Sequence, residues 1–185
     1  MKTNSRTPVT PKAAVAQSVR AVQNVMYDTR TDLSISIREE VVPILQARLA
    51  DSVDLFTQVR QAYWNVKGPH FIALHELFGK VAQIVEQHSD MLAERITALG
   101  ARADGTARVV AVQSNLSEFP LDAAESLVYV AAVADKLALF GKALRASIAL
   151  VAKCGDADTA ALFTEISRAI DKQLWFLDAH LQSGR

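Results

Sequence analysis

Cysteine occurs once in these 185 residues, at Cys154. A lone thiol forms no intrachain disulfide, and a reducing compartment fits it. Glycine and proline are scarce, at 7 and 5, while alanine and leucine are plentiful. That composition belongs to an all-helical protein. Neither sign of charge prevails: Lys+Arg and Asp+Glu both total 20. No global field draws in nucleic acid, so any DNA affinity has to come from a local patch. Half the residues are hydrophobic, yet charges break every long apolar run, and none reads as membrane-spanning. The N-terminal stretch lacks the apolar core of a signal peptide, which predicts a cytoplasmic protein. The length suits one domain with a real core. No internal repeat or low-complexity block stands out.

The pattern along the chain divides it into a tail, 1–32, and a helical domain, 33–185. Pro8 and Pro11 among Thr3, Ser5, Thr7 and Thr10 argue against early regular structure. Val15, Val19, Val22 and Val25 then allow a short amphipathic helix from Ala13 onward. A first long helix is predicted over 41–66, with Pro43 in its first turn. Its apolar stripe is Leu45, Leu49, Val53, Phe56, Val59, Tyr63 and Val66. Gly68 and Pro69 stop it. A second helix is predicted from His70 or Phe71 to Leu99, ended by Gly100. Leu74, Phe78, Val81, Val85, Leu92 and Leu99 form its stripe, with Met91 and Ile96 at the edges. Residues 101–120 read as a long crossover with a helical turn or two over 109–113. A third helix follows over 121–153 with Asp122 as N-cap, and a fourth over 159–181 with Leu162, Ile166, Ile170, Leu174 and Leu177 facing in. Four long helices with one long crossover between the second and third give the topology of a ferritin-like bundle.

The segment 63–95 holds three of the four histidines, His70, His75 and His88. On the second helix His75, Gly79, Glu86, Asp90 and Glu94 fall within an arc of about 100°, and His88 points elsewhere. Carboxylates mixed with imidazole are what hard, iron-type sites use. His75 and Asp90 are nevertheless separated by roughly 22 Å of helix rise. They cannot hold one ion within a chain. Two antiparallel copies of the helix, crossing near Ala82 and Gln83, would bring His75 of one beside Asp90 and Glu94 of the other, which requires a two-fold dimer. No Glu-x-x-His pair is present to build a centre inside one bundle. Beside this stands the plainer reading: Asp-x-x-x-Glu is common on solvated faces, a lone histidine is more often structural, and packing alone accounts for Tyr63 and Trp64.

The runs W-N-V-K-G-P-H-F-x-x-L-H-E-L-F, D-x-L-A-E-R-I and D-K-Q-L-W-F-L resemble the Dps proteins, the DNA-binding proteins from starved cells or miniferritins, over about residues 33–181. The resemblance implies a four-helix subunit with a short helix in the crossover, and a hollow homododecamer. It implies iron oxidation, typically by hydrogen peroxide, with ferric mineral stored inside. It also implies ferroxidase sites at two-fold interfaces and, in many members, DNA binding without sequence preference. Three family ligands carry over: His75 from one subunit, Asp90 and Glu94 from its neighbour. Two do not. The histidine preceding the tryptophan is Tyr63 here, and the acid four positions after the second histidine is Gly79.

Each of two metal positions therefore loses one protein ligand, and the expectation is a weakened or remodelled centre binding iron or another divalent ion such as Zn2+. A phenol ligates ferric iron as phenolate, but an ordinary pKa near ~10 makes Tyr63 a poor ligand for ferrous ion. Glu76 and Glu86 are candidate substitutes, Glu86 the better placed. Asp156 and Asp158 carry two readings, as carboxylates around the family's three-fold pore or as caps of the fourth helix. The tail sits where relatives carry DNA-binding lysines. With only scattered Lys and Arg, its binding is expected to be weak and salt-dependent. The competing reading is a non-enzymatic cage or DNA-binding protein that has lost fast iron chemistry.

Overall fold

The computed structural model describes residues 25–182. Among them are five helices: α1 (Ile35–Asn65), α2 (Phe71–Ala98), α3 (Ala107–Gln113), α4 (Ser126–Cys154) and α5 (Ala157–Leu181). The expected valine-spaced helix from Ala13 lies outside the described residues. Four long helices pair as α1 with α2 and α4 with α5, and α1 also packs along α4. This is an all-α ferritin-like bundle, with the short α3 inside the crossover.

Its core is the sum of the apolar stripes. Leu45, Leu55 and Val59 from α1 meet Leu74, Phe78, Val85 and Leu92 from α2, with Phe140 of α4 and Phe163 and Ile166 of α5, all fully buried. Ile96, expected at an edge, is fully buried too.

Three boundaries differ from expectation. Helix α1 begins six residues early, because Ser34 caps it by accepting from the Ile37 N–H at 3.4 Å. Pro43 thus sits inside the helix rather than in its first turn. Pro43 and Glu39 are both exposed, so solvent can replace the i+4 donor that the Glu39 carbonyl loses. Helix α4 starts at Ser126 after Glu125, and Asp122 lies in the preceding turn instead of capping it. Helix α5 starts at Ala157, with Asp156 as its cap.

The crossover is pinned by the polar side of α1. Gln46 exchanges two hydrogen bonds with the Asp104 backbone, donating at 2.6 Å and accepting at 3.1 Å. Asp51 accepts from the Asn115 backbone N–H at 2.7 Å, Asp54 from the Ser114 hydroxyl at 2.6 Å, and Gln58 donates to the Ser117 carbonyl at 3.1 Å. Burial pushes the Asp51 carboxyl up, against the opposing pull of Asn115 and the Arg48 guanidinium 2.7 Å away.

Before α1, the chain lies across the end of α2. The Tyr27 N–H donates to the Gly100 carbonyl at 2.7 Å. Arg38, buried in α1, donates from one Nη to the Leu99 and Tyr27 carbonyls at 3.0 and 3.2 Å. A guanidinium there satisfies open carbonyls at the negative end of the helix dipole. Gly100 has φ +86°, and a Cβ on it would meet the Tyr27 carbonyl oxygen and, at 2.8 Å, the Thr29 methyl. Only glycine fits.

Candidate metal centre

Helices α1 and α2 run side by side, which brings Tyr63 near the end of one against His75 near the start of the other. Their rings stack with centroids 3.9 Å apart and planes 23° from parallel. Beside that stack, His75 Nδ1 lies 2.9 Å from the Tyr63 carbonyl oxygen. A carbonyl only accepts, so Nδ1 carries the proton, and in the neutral ring Nε2 keeps the lone pair. That is the tautomer a metal ligand needs, with its orientation set by a backbone acceptor.

Two further side chains complete this end of the site. The Arg60 guanidinium carbon lies 4.4 Å from the Tyr63 ring centroid and 5.2 Å from that of Trp64, as i,i+3 and i,i+4 helix neighbours do. Phe71 approaches His75 with centroids 5.1 Å apart. Gly79 faces the Tyr63 ring: a Cβ there would stand 3.2 Å from Cε2.

The other predicted donors lie further along α2. Glu86, Asp90 and Glu94 are exposed, and among the described residues their carboxylates make no hydrogen bond or ion pair. Like charges at i,i+4 cost an isolated helix about 0.2–0.5 kcal/mol per pair, and no described residue forms an ion pair that offsets it. Arg95, next in sequence to Glu94, turns the other way. It donates to Asp156 at 2.7 Å and to the Thr159 hydroxyl at 2.9 Å, tying α2 to the start of α5.

Asp156 is 1% exposed, and accepts from the Thr159 N–H and hydroxyl as well as from Arg95. Its carboxylate is committed to the cap and the ion pair, and is closed to a passing cation. Asp158 remains exposed in the first turn of α5. His88 faces into the bundle, with Nδ1 unpartnered and burial holding it at about pKa 4. It takes no part in the outer face.

So the structure brings Tyr63, His75 and Gly79 together and leaves Glu86, Asp90 and Glu94 apart from them. Among the described residues no three His, Cys, Asp or Glu side chains converge within the chain to hold a metal ion. No described helix is long and apolar enough to cross a membrane.

A ferritin-like domain matches residues 43–185. The DNA protection during starvation protein of Agrobacterium fabrum is 36% identical over 156 residues, covering 84% of this chain and 96% of that one. The chain belongs to the Dps family. Among solved structures, a Mycobacterium smegmatis Dps superposes with a TM-score of 0.81 at 26% identity, covering 86% of this chain and 96% of that one. The Dps of Microbacterium arborescens, solved in a high iron form, gives 0.75 at 29%, covering 80% and 96%.

Within this Dps chain, nothing in the sequence alone marks Arg60 and Phe71 as site residues. The i,i+3 step from Arg60 to Tyr63 was visible there. The approach of Phe71 to His75 needed the helix pair in place.

Proposed function

We propose that this Dps chain binds, oxidises and stores iron as one subunit of a homo-oligomeric cage, protecting DNA and cell from peroxide, through a remodelled ferroxidase centre shared across a two-fold interface. The observation that carries this reading is the complementarity between the two ends of α2. At one end His75 keeps Nε2 for a ligand; at the other, Asp90 and Glu94 present carboxylates with no partner among the described residues. Antiparallel pairing of two copies joins the two ends. Carboxylate oxygens and one imidazole nitrogen suit ferrous iron, and suit Zn2+ as an inert probe.

In the reaction, each ferrous ion gives up one electron; hydrogen peroxide accepts two and, with two protons, leaves as two waters. The chain's part is to gather and orient the ions. The family's first metal position lacks its histidine, since Tyr63 stands there, and the second lacks its acid, at Gly79. Tyr63 and Glu86 are the candidate substitutes for the missing ligands, and Asp158 is the remaining candidate on an entry path. The proposed setting is the cytoplasm, with weak, salt-dependent contact to DNA through the basic residues of the N-terminal stretch.

Stopped-flow absorbance with ferrous ion and peroxide tests the reading. Slow oxidation that disappears in Glu94→Gln is expected; oxidation as fast as in a member with all the family ligands would sink the remodelled centre. The second reading, a cage that has lost fast iron chemistry, is favoured by the Tyr63–Gly79 contact. It predicts no oxidation above the free-iron background.

A further inference from the structure

We infer that Tyr63 and Gly79 are one interlocked exchange, which limits the shared centre to a single metal ion. This rests on the iron-handling reading above and deepens it.

The contact runs in both directions. A Cβ on Gly79 would meet Tyr63 Cε2 at 3.2 Å and Cδ2 at 3.5 Å, the first closer than carbon atoms ordinarily pack. Any side chain at 79 therefore needs the phenol ring to give by a few tenths of an ångström. The ring resists displacement, because His75 stacks on it at 3.9 Å and Arg60 lies over it at 4.4 Å. A face stacked that closely by an imidazole leaves only the other face for a guanidinium, so the ring is sandwiched. The missing side chain at Gly79 is thus the space in which Tyr63 lies.

A carboxylate restored at 79 alone would lie against the ring carbons of Tyr63. Arg60 adds a permanent positive charge beside that space, which disfavours a second cation. An imidazole at 63 is the smaller ring and would free the volume. What the sandwich leaves in place is His75 Nε2 on one chain with Asp90 and Glu94 of a second copy, a donor set for one ion.

Anaerobic zinc titration calorimetry and cobalt(II) absorption spectra on the full chain test this, using the wild type, Gly79→Asp, Tyr63→His and the double variant. The wild type and Gly79→Asp are expected to take a single ion per shared site, and the double variant a pair. Thermal melts in chelator test the interlock without metal. Gly79→Ala is expected to lower Tm beside Tyr63 and to raise it beside a histidine at 63, where the helix gain of alanine is no longer opposed.

A pair of ions in the wild type or in Gly79→Asp would overturn the inference, as would Gly79→Ala melts that are the same in both backgrounds. Zinc bound by none of the four proteins would overturn the metal-centre reading itself. The melts judge the interlock separately, so the two failures are distinguishable.

Discussion

Arg95 Nη2 stands 2.7 Å from Asp156 Oδ1, so the cation next to Glu94 in sequence neutralises a different carboxylate, on another helix. That single choice of partner leaves Glu94 bare and fastens the start of α5 to α2. On the proposed reading, structural and ligand duties are thereby separated between adjacent residues.

Asp156→Ala should cost about 3 kcal/mol, through the lost cap and an arginine left without its partner. Asp158→Asn, at an exposed position, should stay within about 0.5 kcal/mol. Urea unfolding monitored by circular dichroism measures both. Equal effects from the two would contradict the division of roles described here.

Asp90→Asn and Glu94→Gln should weaken zinc binding by at least about 10-fold. In chelator, the same variants should lose no stability, since each removes a like charge from α2 rather than a bonded group. Calorimetry and melts on one preparation check the pair of outcomes. A drop in Tm without a change in zinc affinity would assign both carboxylates to structure.

His88 supplies a pH dependence. Burial lowers its pKa from 6.5 in the unfolded chain to about 4, so below pH 6.5 the unfolded state takes up the proton first. Stability should be full above pH 6.5, fall as acid is added, and level off near pH 4, by about 3 kcal/mol in total. His88→Leu should remove most of that acid slope. Chemical unfolding at pH 7 and pH 4.5, wild type against variant, shows whether it does.

Gln46→Ala should strip both bonds from the Asp104 backbone and cost about 1–3 kcal/mol. Hydrogen exchange at the Asp104 amide should quicken while that in the middle of α2 does not. Uniform quickening would mean the pin supports the whole bundle and not the crossover alone.

Periodicity carried most of the fold into view. The stripes of α2 and α5 are continuous, and Gly100 and Gly155 mark where α2 and α4 end, so the course of those elements was legible, with the start of α5 two residues off. The start of α1 was not. Pro43 reads as a first-turn residue, and only the Ser34 cap shows that the helix is already under way. The pinning side of α1 was equally hidden, because Gln46, Asp51, Asp54 and Gln58 have the spacing of any solvated face until the crossover is laid upon them. At the site, donor types and their separation along α2 were readable, as was the absence of ligands at positions 63 and 79. That the two absences touch each other was not, since Tyr63 and Gly79 belong to different helices.

Arg38 clasps the end of α2 and the backbone of Tyr27 with one nitrogen. Where the chain is cut therefore decides what a deletion experiment measures. A truncation at the compositional border near Asp32 would strip Tyr27 from Gly100 and uncover the guanidinium, so a lost DNA shift could reflect a loosened bundle rather than missing basic residues. Removing only residues 1–24 leaves the clasp intact, and makes the gel a test of the tail alone.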